Sequence, residues 1–153
     1  MTLSTHDALG HARRHGVLSA LLLLALLVLG WGALAPIGVG DRSHLIEIKP
    51  GTQQRRLAGD INDALPLTVR LTVGVRDVLT VKNQDSVPHY LGARLVKPGK
   101  QFRLPFESAS QQEFNSSAHF GGKLTVIVEP WPDPGTARLR WRALELVQTI
   151  RHY

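Results

Sequence analysis

From Gly16 to Gly40 the chain carries no charged side chain. No other feature restricts so much what the remainder can be. A helix over Val17 to Val39, at about 1.5 Å rise per residue, would run to about 34 Å, enough to cross a hydrocarbon core of about 30 Å. The stretch reads as a single-pass transmembrane helix over 17–39. Leu18 to Leu29 also has the form of a signal-peptide core, and Ala33-Leu34-Ala35 the small-x-small form of a cleavage site. Pro36, the next residue, opposes cutting, so a retained anchor is expected. Gly30, Gly32 and Pro36 either loosen the helix or offer close contacts to another one, or, the preferred reading, the glycines are ordinary ones of a membrane helix.

Arg13 and Arg14 precede this segment with only Asp7 against them. The excess of positive charge places residues 1–16 in the cytoplasm and everything after Asp41 outside, which in a cell with an inner membrane is the periplasm. A chain of 153 residues then has room for one small domain of about 90 residues and a tail. The exported part holds 16 Lys plus Arg against 11 Asp plus Glu, or +5 of the chain's +6. It has no lysine run or aromatic ladder, so nucleic acid is not an expected partner. Anionic headgroups of the lipid bilayer or an acidic protein surface suit the charge better. With no cysteine, disulfides, iron–sulfur clusters, thiolate zinc and cysteine nucleophiles are all excluded.

Between 45 and 130, short apolar runs alternate with Gly, Pro, Asn and Asp, and no helical period is sustained. Strands are expected at His44 to Lys49, Leu65 to Val73, Val78 to Lys82, Val87 to Val96, Gln101 to Phe106, Gln112 to Ser116 and Lys123 to Val128. Leu67, Val69, Leu71 and Val73 should face the core. Polar Gln53 to Asp63 reads as a loop insertion. Lys97-Pro98-Gly99-Lys100 has the residues of a tight turn. The expected fold is all-β, an antiparallel two-sheet sandwich over 44–130. Trp131-Pro132-Asp133-Pro134-Gly135 ends it and opens a tail, 131–153. Within the tail, Ala137, Leu139, Trp141 and Ala143 alternate with arginines as in a strand, while Leu139, Ala143, Leu146, Val147 and Ile150 fit one helical face. Either way an apolar face flanked by arginines suits a membrane surface, another subunit or the chain's own sandwich.

The run Val78 to His89, with Asn83, Asp85 and His89 across one turn, then Pro98-Gly99-Lys100, then Phe114 to His119 followed by Gly122 to Val128, resembles the cupredoxins, the plastocyanin and azurin type of small copper protein. The resemblance covers about residues 45–130 and implies a Greek-key sandwich. It places His89 and His119 at the two copper-binding histidines. The family's cysteine falls on Ser116, and its axial methionine falls near Gly121 to Lys123, where nothing can serve. The only methionine is Met1. A neutral hydroxyl cannot replace a thiolate for soft copper, and Lys123 would repel a cation. Two imidazoles can still hold Cu(II) with oxygen donors such as Ser116, giving a non-blue site, with His44 and Tyr90 as conceivable extra donors. Tyr90, next to His89 in a strand, should point to the opposite face. The other reading is a degenerate site with no cofactor, its histidines hydrogen-bonded within their loops.

Ser108, Ser110, Ser116 and Ser117 lack a histidine and carboxylate at a recognisable catalytic spacing, although His89 or His119 could meet Asp85 in space. No phosphate loop or zinc-protease helix is present, so an enzyme is not expected. The expectation is an accessory or structural subunit whose extracytoplasmic domain docks on other subunits of a respiratory or photosynthetic electron-transfer complex. The alternative is a periplasmic copper-handling protein using His89 and His119.

Overall fold

In chain order the elements are α1 (Thr5–Leu34), β1 (Ser43–Ile48), α2 (Thr52–Leu57), β2 (Thr68–Thr72), β3 (Val78–Asn83), β4 (His89–Leu91), β5 (Arg94–Val96), β6 (Gln101–Pro105), β7 (Ser110–Asn115), β8 (Lys123–Glu129) and α3 (Thr136–Arg151). The structure, a computed structural model, describes residues 5–61 and 65–151. It divides into a β unit, Ile37–Trp131, and a helical unit built from the segments on either side.

Within the helical unit, Gly16–Leu34 is long and apolar enough to cross a membrane, with mean hydropathy 2.5 and none of it buried. The helix stops at Leu34 rather than running to Val39. Pro36 lacks an N–H and disfavours helical backbone at the residue before it, which accounts for the early stop. The tail is helical. In a helix Arg138 and Arg142, one turn apart, come close together on one face, and both are used. Arg138 Nη1 donates to the carbonyls of Leu34 at 3.2 Å and Ala35 at 3.0 Å. Arg142 Nη2 donates to those of Ala35 at 2.9 Å and Pro36 at 3.2 Å. These are carbonyls that the end of a helix leaves without partners, at the negative pole of its dipole. The Gly135 N–H donates to the Ala33 carbonyl at 3.0 Å, and Leu139 lies over Gly32, where an added Cβ would come within 3.0 Å of Leu139 Cδ2.

The β unit holds two three-stranded sheets, β1-β3-β6 and β2-β8-β7, with β4 and β5 forming a separate hairpin. The expected wholly antiparallel pairing is corrected here. β1 runs parallel to β3 with Ser43 opposite Val78, and β2 runs parallel to β8 with Thr68 opposite Thr125. After β1 the chain crosses through α2 to β2 in the other sheet and returns to β3, a crossover that lets two strands of one sheet point the same way. The remaining pairs are antiparallel.

Alternation along the strands supplies the core. Leu124, Val126 and Val128 of β8 are buried beside Val69 and Leu71 of β2, and they meet Leu79 and Val81 of β3 and Ile46 and Ile48 of β1. Val73 packs against this cluster as expected. Leu67 does not: it precedes β2 and is 55% exposed. The stretch expected as a loop insertion opens with α2, entered through Gly51 at φ 76, a left-handed conformation that glycine adopts without a Cβ penalty. Its last part, Asn62 to Ala64, lies outside the described residues. At one end of the unit Asp77 is buried, bonded to the Arg42 guanidinium and to the Gly74 N–H. Arg42 holds that carboxyl below the usual carboxylate range against the opposing effect of burial.

Candidate functional site

The site grows from the end of β3. Asn83 is fully buried, and its amide donates to the carbonyls of Val87 at 2.8 Å and Val96 at 2.9 Å while its oxygen accepts the Asp85 N–H at 2.9 Å. One side chain thus closes the 83–87 turn onto β5, and the turn presents Asp85 inward. Asp85 accepts backbone N–H bonds from Gly51 at 2.9 Å, Gln53 at 3.0 Å and Ser86 at 2.8 Å, and a bond from His89 Nε2 at 3.0 Å. Burial would raise its pKa, but the N–H donors and His89 outweigh it and hold the group at about 2. Asp85 is therefore a carboxylate, an acceptor only, and His89 Nε2 must carry the proton.

The second loop, between β7 and β8, closes over His89. The Ser116 N–H donates to the Gly122 carbonyl at 2.8 Å, and the Gly122 N–H to that of His119 at 3.0 Å. This tight return is open to Gly121 and Gly122, both at φ above 70°. Ser117 Oγ accepts the Tyr90 N–H at 3.0 Å and lies 3.2 Å from His89 Nδ1. Ser116 Oγ lies 2.6 Å from His119 Nδ1, a hydrogen bond, and accepts the Ala118 N–H at 3.4 Å. Burial above all, and then the charge of His89, push His119 down to about 4, so it is neutral at pH 7. Its Nε2 is buried with no partner among the described residues.

Both histidines named from the sequence therefore sit in one buried cluster with Ser116, His89 1% and His119 2% exposed, and His89 close enough for its charge to act on His119. The other named residues lie apart from it. Tyr90 is half exposed on the far face of its strand. His44 stands on β1 opposite Leu79. Lys123 reaches Glu113 at 2.6 Å on the surface. Asp85 is the residue whose weight the sequence understated. The visible signal was its place four residues before His89 and two after Asn83.

Copper of the electron-transfer kind does not fit these residues. The chain has no cysteine to supply a thiolate, and both ring nitrogens of His89 together with Nδ1 of His119 are held by the protein's own groups at 2.6 to 3.2 Å. No group of three or more His, Cys, Asp or Glu among the described residues could hold a metal ion. The carboxylate, imidazole and hydroxyl of Asp85, His89 and Ser117 do form a continuous chain of hydrogen bonds.

Two sheets of mixed strand direction, with His89 and His119 on two apposed loops, resemble the cupredoxin fold. Similar solved structures include a purple cupredoxin from Nitrosopumilus maritimus, at 24% identity over 56% of this chain and 98% of that one with a TM-score of 0.43. Also similar is amicyanin, as a Cu(I) methionine-to-alanine variant at 17% identity over 60% of this chain and 86% of that one with a TM-score of 0.41. An oxidised proline-to-alanine variant of amicyanin matches at 18% over the same shares, with a TM-score of 0.40. No family profile and no curated protein matches the chain.

Proposed function

We propose that this protein is a membrane-anchored, non-catalytic accessory subunit whose extracytoplasmic cupredoxin-like unit docks on a larger membrane electron-transfer complex, respiratory or photosynthetic. One observation carries the reading: Ser116, at the position of the family's thiolate, spends its hydroxyl on His119 at 2.6 Å. Soft donors fix copper in such a frame, and here hydrogen bonds take their place. The loops keep their form as a clasp of Asn83, Asp85, His89, Ser116 and Ser117. A clasp is also the better reading of the Asp85, His89 and Ser117 chain, because Ser117 Oγ is held between Tyr90 N–H and the imidazole. The apolar span of α1 supports an anchor, and the arginines before it support a cytoplasmic N-terminus. Purification from native membranes in mild detergent tests this. Comigration with the subunits of a redox complex is expected, and a lone monomer at native expression would refute it.

A second reading rests on His119 Nε2, buried and without a partner among the described residues. A weak Cu(II) ion bound there and at His89 would make the protein a copper-handling one. In a Cu(II) titration read by electron paramagnetic resonance, this reading requires that His89→Ala and His119→Ala lose the signal of the parent.

A further inference from the structure

We infer that α3 is an interfacial helix, lying in the anionic headgroup layer with its apolar face turned to lipid. The inference rests on the proposed anchoring by α1. The hydrogen bonds and close packing that join the two segments fall on Gly32 to Pro36 at the end of α1 and on Gly135, Arg138, Leu139 and Arg142. Farther back on α1, Leu24, Leu26, Leu27 and Leu29 are 54% to 70% exposed. They point to different sides of α1, and a helix running back along it would have covered those on one side. α3 therefore crosses the end of the apolar span. That end is marked by Trp31, 73% exposed, and tryptophan favours the boundary between hydrocarbon and water.

Pinned at that depth, the second half of α3 presents Leu146 at 63% exposure, Val147 at 48% and Leu144 at 44%, with exposed Ala143 among them. Within the helical unit, no described residue covers this face. Four arginines against one glutamate over Thr136–Arg151 suit anionic headgroups. Arg138 and Arg142 are spent on the α1 carbonyls, leaving exposed Arg140 beside the apolar sector. A helix with one apolar face, basic flanks and too many polar residues to enter the hydrocarbon core is what partitions into this layer.

The absence of cysteine makes the test direct. In the full chain, Leu146→Cys and, separately, Leu26→Cys would carry a nitroxide in vesicles of phosphatidylcholine and phosphatidylglycerol. Collision with oxygen is then compared with collision with a water-soluble nickel chelate. Oxygen should exceed nickel at both sites, by a smaller factor at 146 than at 26. Nickel exceeding oxygen at 146 alone refutes the interfacial helix and leaves the anchor standing, whereas the same result at 26 refutes the anchor. A label at 146 shielded from both reagents means that protein covers the face, which also overturns the inference.

Discussion

Lowering the pH from 7 to 5 should weaken the β unit by about 2 kcal/mol, and His119 should account for most of it. Its imidazole titrates at about 4 in the folded chain against an ordinary 6.5, held down first by burial and then by His89. The folded state binds fewer protons than the unfolded one between these values, so stability is complete above pH 6.5 and declines as pH falls to 4. Below 4 both states are protonated and the loss levels off. At about 1.4 kcal/mol per pH unit, the whole loss is about 3 kcal/mol, of which about 2 kcal/mol is reached by pH 5. Trp131 lies in the β unit, and Trp31 and Trp141 in the helical one. Equilibrium urea unfolding of the full chain in detergent, with Trp31→Phe and Trp141→Phe, would therefore report on the β unit through Trp131 fluorescence. His119→Gln in that background should cut the loss between pH 7 and 5 to below about 0.5 kcal/mol. An equal pH dependence in the two proteins would refute the reasoning.

Asp85→Ala would strip the acceptor from His89 Nε2 and from the Gly51 and Gln53 N–H groups; at about 1 to 3 kcal/mol for a buried donor left unpaired, partly relieved by water, urea unfolding should show a loss of about 3 to 5 kcal/mol. The same carboxyl, held at about 2 against 3.8, gives a contribution that is complete above pH 3.8 and fades as pH falls to 2, about 2 kcal/mol in all and absent in the variant. Gly74→Ala places a Cβ 2.8 Å from Trp131 Cε3 at φ 77, and thermal melting should register a loss of about 2 to 3 kcal/mol. Ser116→Cys places a thiol beside His119 Nδ1, and with Cu(II) it should gain an intense visible charge-transfer band that the parent lacks; a colourless variant would mean that the two loops do not frame a copper site.

Most strands were legible because one buried face imposes a period of two, as in Leu124, Val126 and Val128. Their partners were not. Parallel pairing of β1 with β3 depends on a crossover between sheets, which local pattern does not encode. Leu67 misled because alternation continues past the point where the strand begins. The first turn of α2, polar and flanked by glycines, looked like loop, and its N–H groups find their acceptor in Asp85, which lies 32 and 34 residues away from Gln53 and Gly51. The tail carried both periods, and only the carbonyls at the end of α1, which take Arg138 and Arg142, favour one of them. At the site, His89, His119 and Ser116 could be placed from the family resemblance. The clasp could not, since it depends on which ring nitrogen meets which hydroxyl.

The claim that hydrogen bonds occupy the histidine pair in place of a metal is tested most directly by unfolding the full chain with about 100 μM Cu(II) and then with a chelator. An ion bound to the folded site with a Kd of about 1 μM would add about 2.7 kcal/mol. The account predicts no difference between the two conditions; stabilisation by Cu(II) that disappears in both His89→Gln and His119→Gln would contradict it.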